Sequence, residues 1–110
     1  MVKKALVVDD DESWCKLGSY KLKKEGYEVT TATTLSEAEE AVKREKFHLV
    51  RTDWNLQEGK PVYADGIARL AIQRGAKIEI LTGTDDTSGK LVRLQKDFPD
   101  IEIRNKGERR

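Results

Sequence analysis

Five short apolar runs recur along the chain with helix-period segments between them. The runs Ala5-Leu6-Val7-Val8, Tyr27 to Thr31, His48 to Asp53, Lys77 to Thr82 and Ile101 to Lys106 read as strands. Between the first two, Trp14, Leu17, Gly18 and Leu22 keep helical spacing, and Gly26 is placed to end that helix. Thr34 followed three residues later by Glu37 is a capping-box signature. It opens a helix running through about Glu45, with Ala38, Ala41 and Val42 as its buried stripe. Asp65 is expected as the N-cap of a third helix that uses Ile67, Leu70 and Ala71 and stops near Gly75. A fourth helix carries Leu91, Leu94 and Phe98 and is closed by Pro99. Strands alternating with helices of this length predict an α/β fold with a parallel sheet and right-handed crossovers, doubly wound.

A parallel sheet places the carboxyl ends of all its strands along one edge, so residues far apart in sequence meet there. The first run leads into Asp9-Asp10, the third to Asp53, the fourth to Thr82 and the fifth to Lys106. Each has an ordinary reading when taken singly. Asp9 to Glu12 are acids of the kind favoured at a helix N-terminus, Thr82 is a loop or capping hydroxyl, and Lys106 is a solvated charge. Landmarks at four different strand ends make a functional edge the better expectation. Clustered carboxylates with all-oxygen ligation suit Mg2+ or Mn2+.

Composition narrows the classes without choosing among them. A chain of 110 residues is expected to form one domain. Its 21 Lys and Arg nearly cancel 20 Asp and Glu, which argues against a broadly basic surface for nucleic acid or membrane. No apolar stretch approaches the roughly 20 residues that span a bilayer, and Met1-Val2-Lys3-Lys4 runs straight into a strand, so a cytoplasmic protein without membrane insertion is expected. Cys15 has no second cysteine to pair with and is expected to be structural or simply exposed, and His48, isolated at a strand start, is expected to be structural.

The landmarks together, with the string Thr52-Asp53-Trp54-Asn55-Leu56, resemble the phospho-acceptor site of the response-regulator receiver domain of two-component signalling, the chemotaxis type being its simplest member. The resemblance spans residues 3 to 106 and implies a flavodoxin-like fold with strand order 2-1-3-4-5. It implies a receiver over residues 1–106 with a short polar tail, 107–110. It also implies that Asp10 and Asp53 hold the metal directly, Asp9 holds it through water, and the backbone carbonyl of Asn55 adds a ligand. Asp53 would be the nucleophile, Thr82 the switch hydroxyl, and Lys106 the lysine that pairs first with the carboxylate and then with the phosphoryl group. The partners implied are a histidine kinase or phosphotransfer protein and an unidentified downstream protein, with no direct nucleic-acid binding and a monomer or weak dimer as the assembly. Such a protein is no ordinary enzyme, since it catalyses only its own phosphorylation and dephosphorylation.

Three departures from that pattern stand out. Gln57 stands where the family usually has proline and the loop from Asp53 to Gly66 is several residues longer than usual, Ile103 stands where the family often has a switch aromatic, and the family's fifth helix is absent. Arg51, Glu79, Glu102 and Arg104 interrupt strands that should be apolar, and period two sends Glu102 and Arg104 to one face. A sheet face open to water or to a polar partner would explain them, and natural adaptation to the missing helix is the expectation, rather than truncation. Two rival functions follow from the same residues. One is a phosphate-independent interaction module of receiver descent; the other is a small haloacid-dehalogenase-like phosphatase, with Asp9 as nucleophile, Asp11 as acid-base group and Thr82 as the second-motif hydroxyl.

Overall fold

The computed structural model describes residues 2–57, 62–83 and 89–105. Its elements alternate as expected: β1 (Lys3–Val8), α1 (Glu12–Lys24), β2 (Tyr27–Ala32), α2 (Leu35–Arg44), β3 (Leu49–Asp53), α3 (Asp65–Gln73), β4 (Lys77–Thr82), α4 (Lys90–Asp97) and β5 (Glu102–Asn105). All strand pairs are parallel and the sheet order is β2-β1-β3-β4-β5. The two helix stops expected at glycine adopt the left-handed conformation that glycine accommodates best, with φ of 97° at Gly26 and 92° at Gly75.

Period two divides the sheet between two cores. Leu6, Val8, Val50, Ile78 and Ile80 face a larger core closed by Ala38, Ala41 and Val42 of α2, Ile67, Ala68 and Ala71 of α3, and Leu91 and Leu94 of α4. Ala5, Val7 and Leu49 face a smaller one closed by Cys15 and Leu22 of α1. Among the described residues one helix, α1, serves the second face, and it lies on β1 and β2. The remaining part of that face, on β3 to β5, carries Arg51, Glu79, Glu102 and Arg104.

Those four charges answer one another. Arg51 and Glu79 are cross-strand partners joined by two hydrogen bonds, Nε to Oε1 at 3.3 Å and Nη2 to Oε2 at 3.4 Å. Their side chains are only 11% and 9% exposed, so the expectation of charges open to water is corrected for this pair. It is withdrawn from solvent and satisfied internally, as a buried charge must be. Arg104, 56% exposed, continues the network to Glu79 at 3.8 Å and to Glu102 at 3.3 Å. Lys77 closes it onto Glu102 at 3.7 Å.

Several local expectations also need adjustment. Ala64, not Asp65, is the N-cap of α3 and makes no side-chain cap. Its amide donates to the Trp54 carbonyl and its own carbonyl accepts from Ala68, which leaves Asp65 in the first turn, where a carboxylate still suits the helix dipole. The buried stripe of α1 is Cys15, Gly18, Ser19 and Leu22, whereas Leu17 is 40% exposed, because the small side chains turn toward the sheet. At α2 the hydroxyl of Thr34 accepts from the Glu37 amide as expected, but the Glu37 carboxylate reaches back to the Thr33 amide, one residue outside the box. β3 starts at Leu49 and β5 at Glu102, each one residue later than the apolar pattern indicates.

Candidate phospho-acceptor site

β1 and β3 are adjacent at the point where the chain's winding reverses, since β1 lies between β2 on one side and β3 on the other. Their register ends with Val8 opposite Thr52. One residue further on come Asp9 and Asp53, and this is where open α/β sheets form their crevice. Carboxylate oxygens of Asp9, Asp10 and Asp53 all lie within 4.8 Å of one another. Two ionised carboxylates that close repel by roughly 3 to 4 kcal/mol at an effective dielectric of about 20. A cation bound among them would remove that cost.

The three acids differ in access. Asp9 is buried, with its amide bonded to the Ala32 carbonyl at 3.1 Å and its Oδ1 accepting from the Asp11 amide at 3.0 Å. The Cys15 thiol donates to the Asp9 carbonyl at 3.3 Å, so of the two readings left open for that cysteine, structural or exposed, the buried structural one holds. Asp53 is half-buried and Asp10 exposed, so the cluster opens outward from a fixed inner wall. The acid run therefore divides by role. Asp11 caps α1, accepting from the Ser13 amide at 2.8 Å, and Glu12 sits in the first turn, while Asp9 and Asp10 belong to the cluster. His48 is structural too, accepting at Nδ1 from the Lys4 amide.

The segment after Asp53 is held on both sides. The Trp54 amide donates to the Leu81 carbonyl of β4 at 2.8 Å, and Asn55 forms an antiparallel bridge with Tyr63. The two hydrogen bonds of that bridge, Leu56 amide to Val62 carbonyl and Ala64 amide to Trp54 carbonyl, bracket Asn55 without using its own backbone groups. In such a pair the carbonyl of Asn55 points away from Tyr63. The Asn55 side chain instead accepts from the Gln57 amide at 3.1 Å, an Asx turn, and Gln57 is exposed. Trp54 is fully buried and stacks on Tyr63, with ring centroids 5.3 Å apart and planes 19° apart.

Thr82 ends β4, half-buried, one residue past the Leu81 that pairs with Asp53. It lies on the same edge as the acids and is paired with Asn105 of β5. Lys106 and the Gly59-Lys60-Pro61 part of the loop lie outside the described residues. Sequence reasoning did not single out Tyr63 or the Arg51–Glu79 pairing. An aromatic residue at the end of the loop that follows Asp53 was the available signal for the first; the second needs the strand register.

Fold and site together define a doubly wound domain with an acidic cluster at the carboxyl edge of its sheet, and comparison with known proteins narrows that class. Residues 5–101 match the family model of the response regulator receiver domain, and the chain belongs to that family. It is 36% identical over 99 residues to the alkaline phosphatase synthesis transcriptional regulatory protein PhoP of Bacillus subtilis, covering 86% of this chain and 39% of PhoP. The chain thus spans about two-fifths of that relative's length. Among solved structures, a Burkholderia pseudomallei response regulator with a phosphorylated aspartic acid, a calcium ion and citrate is 27% identical, with a TM-score of 0.74 over 93% of this chain and 59% of the other. The Thermotoga maritima response regulator TrrA in complex with Mg2+ and BeF shares the fold at 24% identity, with a TM-score of 0.72 over 93% and 86% of the two chains. Membership of the receiver family sets aside the phosphatase reading, in which Asp53 would have had no part.

Proposed function

We propose that the chain takes a phosphoryl group onto Asp53 from a phosphohistidine of a histidine kinase or phosphotransfer protein and thereby changes which downstream protein it binds. A carboxylate oxygen of Asp53 attacks the phosphorus in line. The new O–P bond forms as the P–N bond breaks, and the bonding pair leaves with the imidazole nitrogen. The observation carrying this reading is the gathering of Asp9, Asp10 and Asp53 from two strand ends into one cluster. Asp10, Asp53 and the outward carbonyl of Asn55 would hold Mg2+ or Mn2+, with Asp9 acting through water from its fixed position. Such an ion, when bound, neutralises the carboxylates and the equatorial phosphoryl oxygens. Thr82 would donate to the phosphoryl group, and Lys106 would pair with it. The phosphohistidine donor draws on ATP, which fits a cytoplasmic setting.

The test is uptake from a small phosphodonor in the presence of Mg2+, followed by intact mass. Wild type should gain one phosphoryl group, whereas Asp53→Asn should gain none. Undiminished uptake by Asp53→Asn would move the nucleophile to another residue, and absence of uptake by wild type would favour the phosphate-independent module.

A further inference from the structure

Trp54, directly after Asp53, has a buried indole Nε1–H that meets no hydrogen-bond acceptor among the described residues. Among those residues its ring is oriented by packing, and Tyr63 supplies the stacked face. The same Tyr63 is the bridge partner of Asn55. Tyr63 thus adjoins both positions that follow Asp53: its ring stacks on Trp54, and it lies opposite Asn55 in a bridge whose hydrogen bonds are made by its neighbours Val62 and Ala64. Outside it lies a third layer, the Lys90 ammonium at the start of α4, 5.6 Å from the Tyr63 ring centroid. An ammonium over an aromatic face is attractive and helps to hold the ring in place.

We infer that Tyr63 is a positioning residue for the metal site: stacked on Trp54 and bridged to Asn55, it fixes the direction of the Asn55 carbonyl and the placement of Asp53. This rests on the proposed role of that carbonyl as a ligand. Its chemical reason is that an octahedral hard-cation site tolerates little error in ligand placement. Groups that orient ligands from behind typically change metal affinity by about 10- to 100-fold when removed. The stacked ring, not the hydroxyl, is the active feature. Tyr63→Phe should therefore behave as wild type, while Tyr63→Leu keeps apolar bulk and loses the stack.

The experiment is calorimetric titration of the full chain with MgCl2, with urea unfolding of each variant as a structural control. Wild type and Tyr63→Phe should bind Mg2+ within about twofold of each other, and Tyr63→Leu about tenfold more weakly under conditions where it is fully folded. A role in stability alone would move the unfolding midpoint and leave the affinity of the folded protein unchanged. Equal affinity in Tyr63→Leu and wild type overturns the inference while leaving the metal site intact. Equal loss in Tyr63→Phe and Tyr63→Leu also overturns it, by assigning the effect to the hydroxyl. A wild type that does not bind Mg2+ overturns the metal reading and the inference with it. If the leucine variant does not fold, Tyr63→Val, whose β-branched side chain suits an extended bridge, takes its place.

Discussion

Two clusters of charge sit on the same sheet and obey opposite rules. At the carboxyl edge, Asp9, Asp10 and Asp53 bring three like charges within 4.8 Å. On the face of β3 to β5, Arg51, Glu79, Arg104, Glu102 and Lys77 alternate in sign, each within 4.0 Å of an opposite charge. The alternating network is complete as it stands, and its charges stabilise one another. The acidic cluster instead holds charges of one sign side by side, an arrangement that a bound cation would stabilise further. On the proposed function, like charge held together by strand register marks the site, whereas mixed charge across the strands serves the fold.

This contrast can be broken by substitution, most forcefully in the network. Glu79→Ala leaves Arg51 withdrawn from water with its main counter-charge removed, and should lower the unfolding free energy by about 3 kcal/mol in urea titrations. The paired replacement Arg51→Met with Glu79→Leu should restore most of that loss, because the cost comes from the stranded charge and not from the missing bridge. If the single and double variants are equally destabilised, the pair contributes through packing and the contrast with the edge weakens.

The acidic edge should respond in the other direction and more weakly. Asp10→Asn removes one of three repelling charges at an exposed position, so stability without divalent ions should rise by about 1 kcal/mol at low salt. With saturating Mg2+ the order should invert, since wild type gains binding free energy that the variant lacks. Thermal melts with and without Mg2+ read both signs. A loss of stability in both conditions would mean that Asp10 is held for a structural reason.

Much of this was legible in the chain itself. Thr34, Gly26, Gly75 and Pro99 act through backbone rules that need no tertiary context, and the corresponding helix ends fall within a residue or two of expectation. The acids at the ends of β1 and β3 were legible because a parallel sheet has only one carboxyl edge. What escaped depends on register or on long-range closure. Arg51 faces Glu79 only because Leu49 pairs with Lys77, and no local pattern states that alignment. Asp65 lost its capping role because Ala64 is tied to Trp54 across the loop, and Leu17 turned outward because Cys15 and Ser19 fit the sheet more closely. Tyr63 joins the acceptor segment across a loop whose closure leaves no periodic trace.

Whether the acidic cluster serves to load Asp53 is read most directly by mapping the modified residue. Protein treated with a small phosphodonor and Mg2+ is reduced with borohydride, which converts an acyl-phosphorylated aspartate to homoserine, and is then digested and sequenced by mass spectrometry. The account predicts homoserine at position 53, dependent on Mg2+ and absent from Asp9 and Asp10. Homoserine at position 9, or a chain left unmodified under conditions that load other receivers, would contradict it.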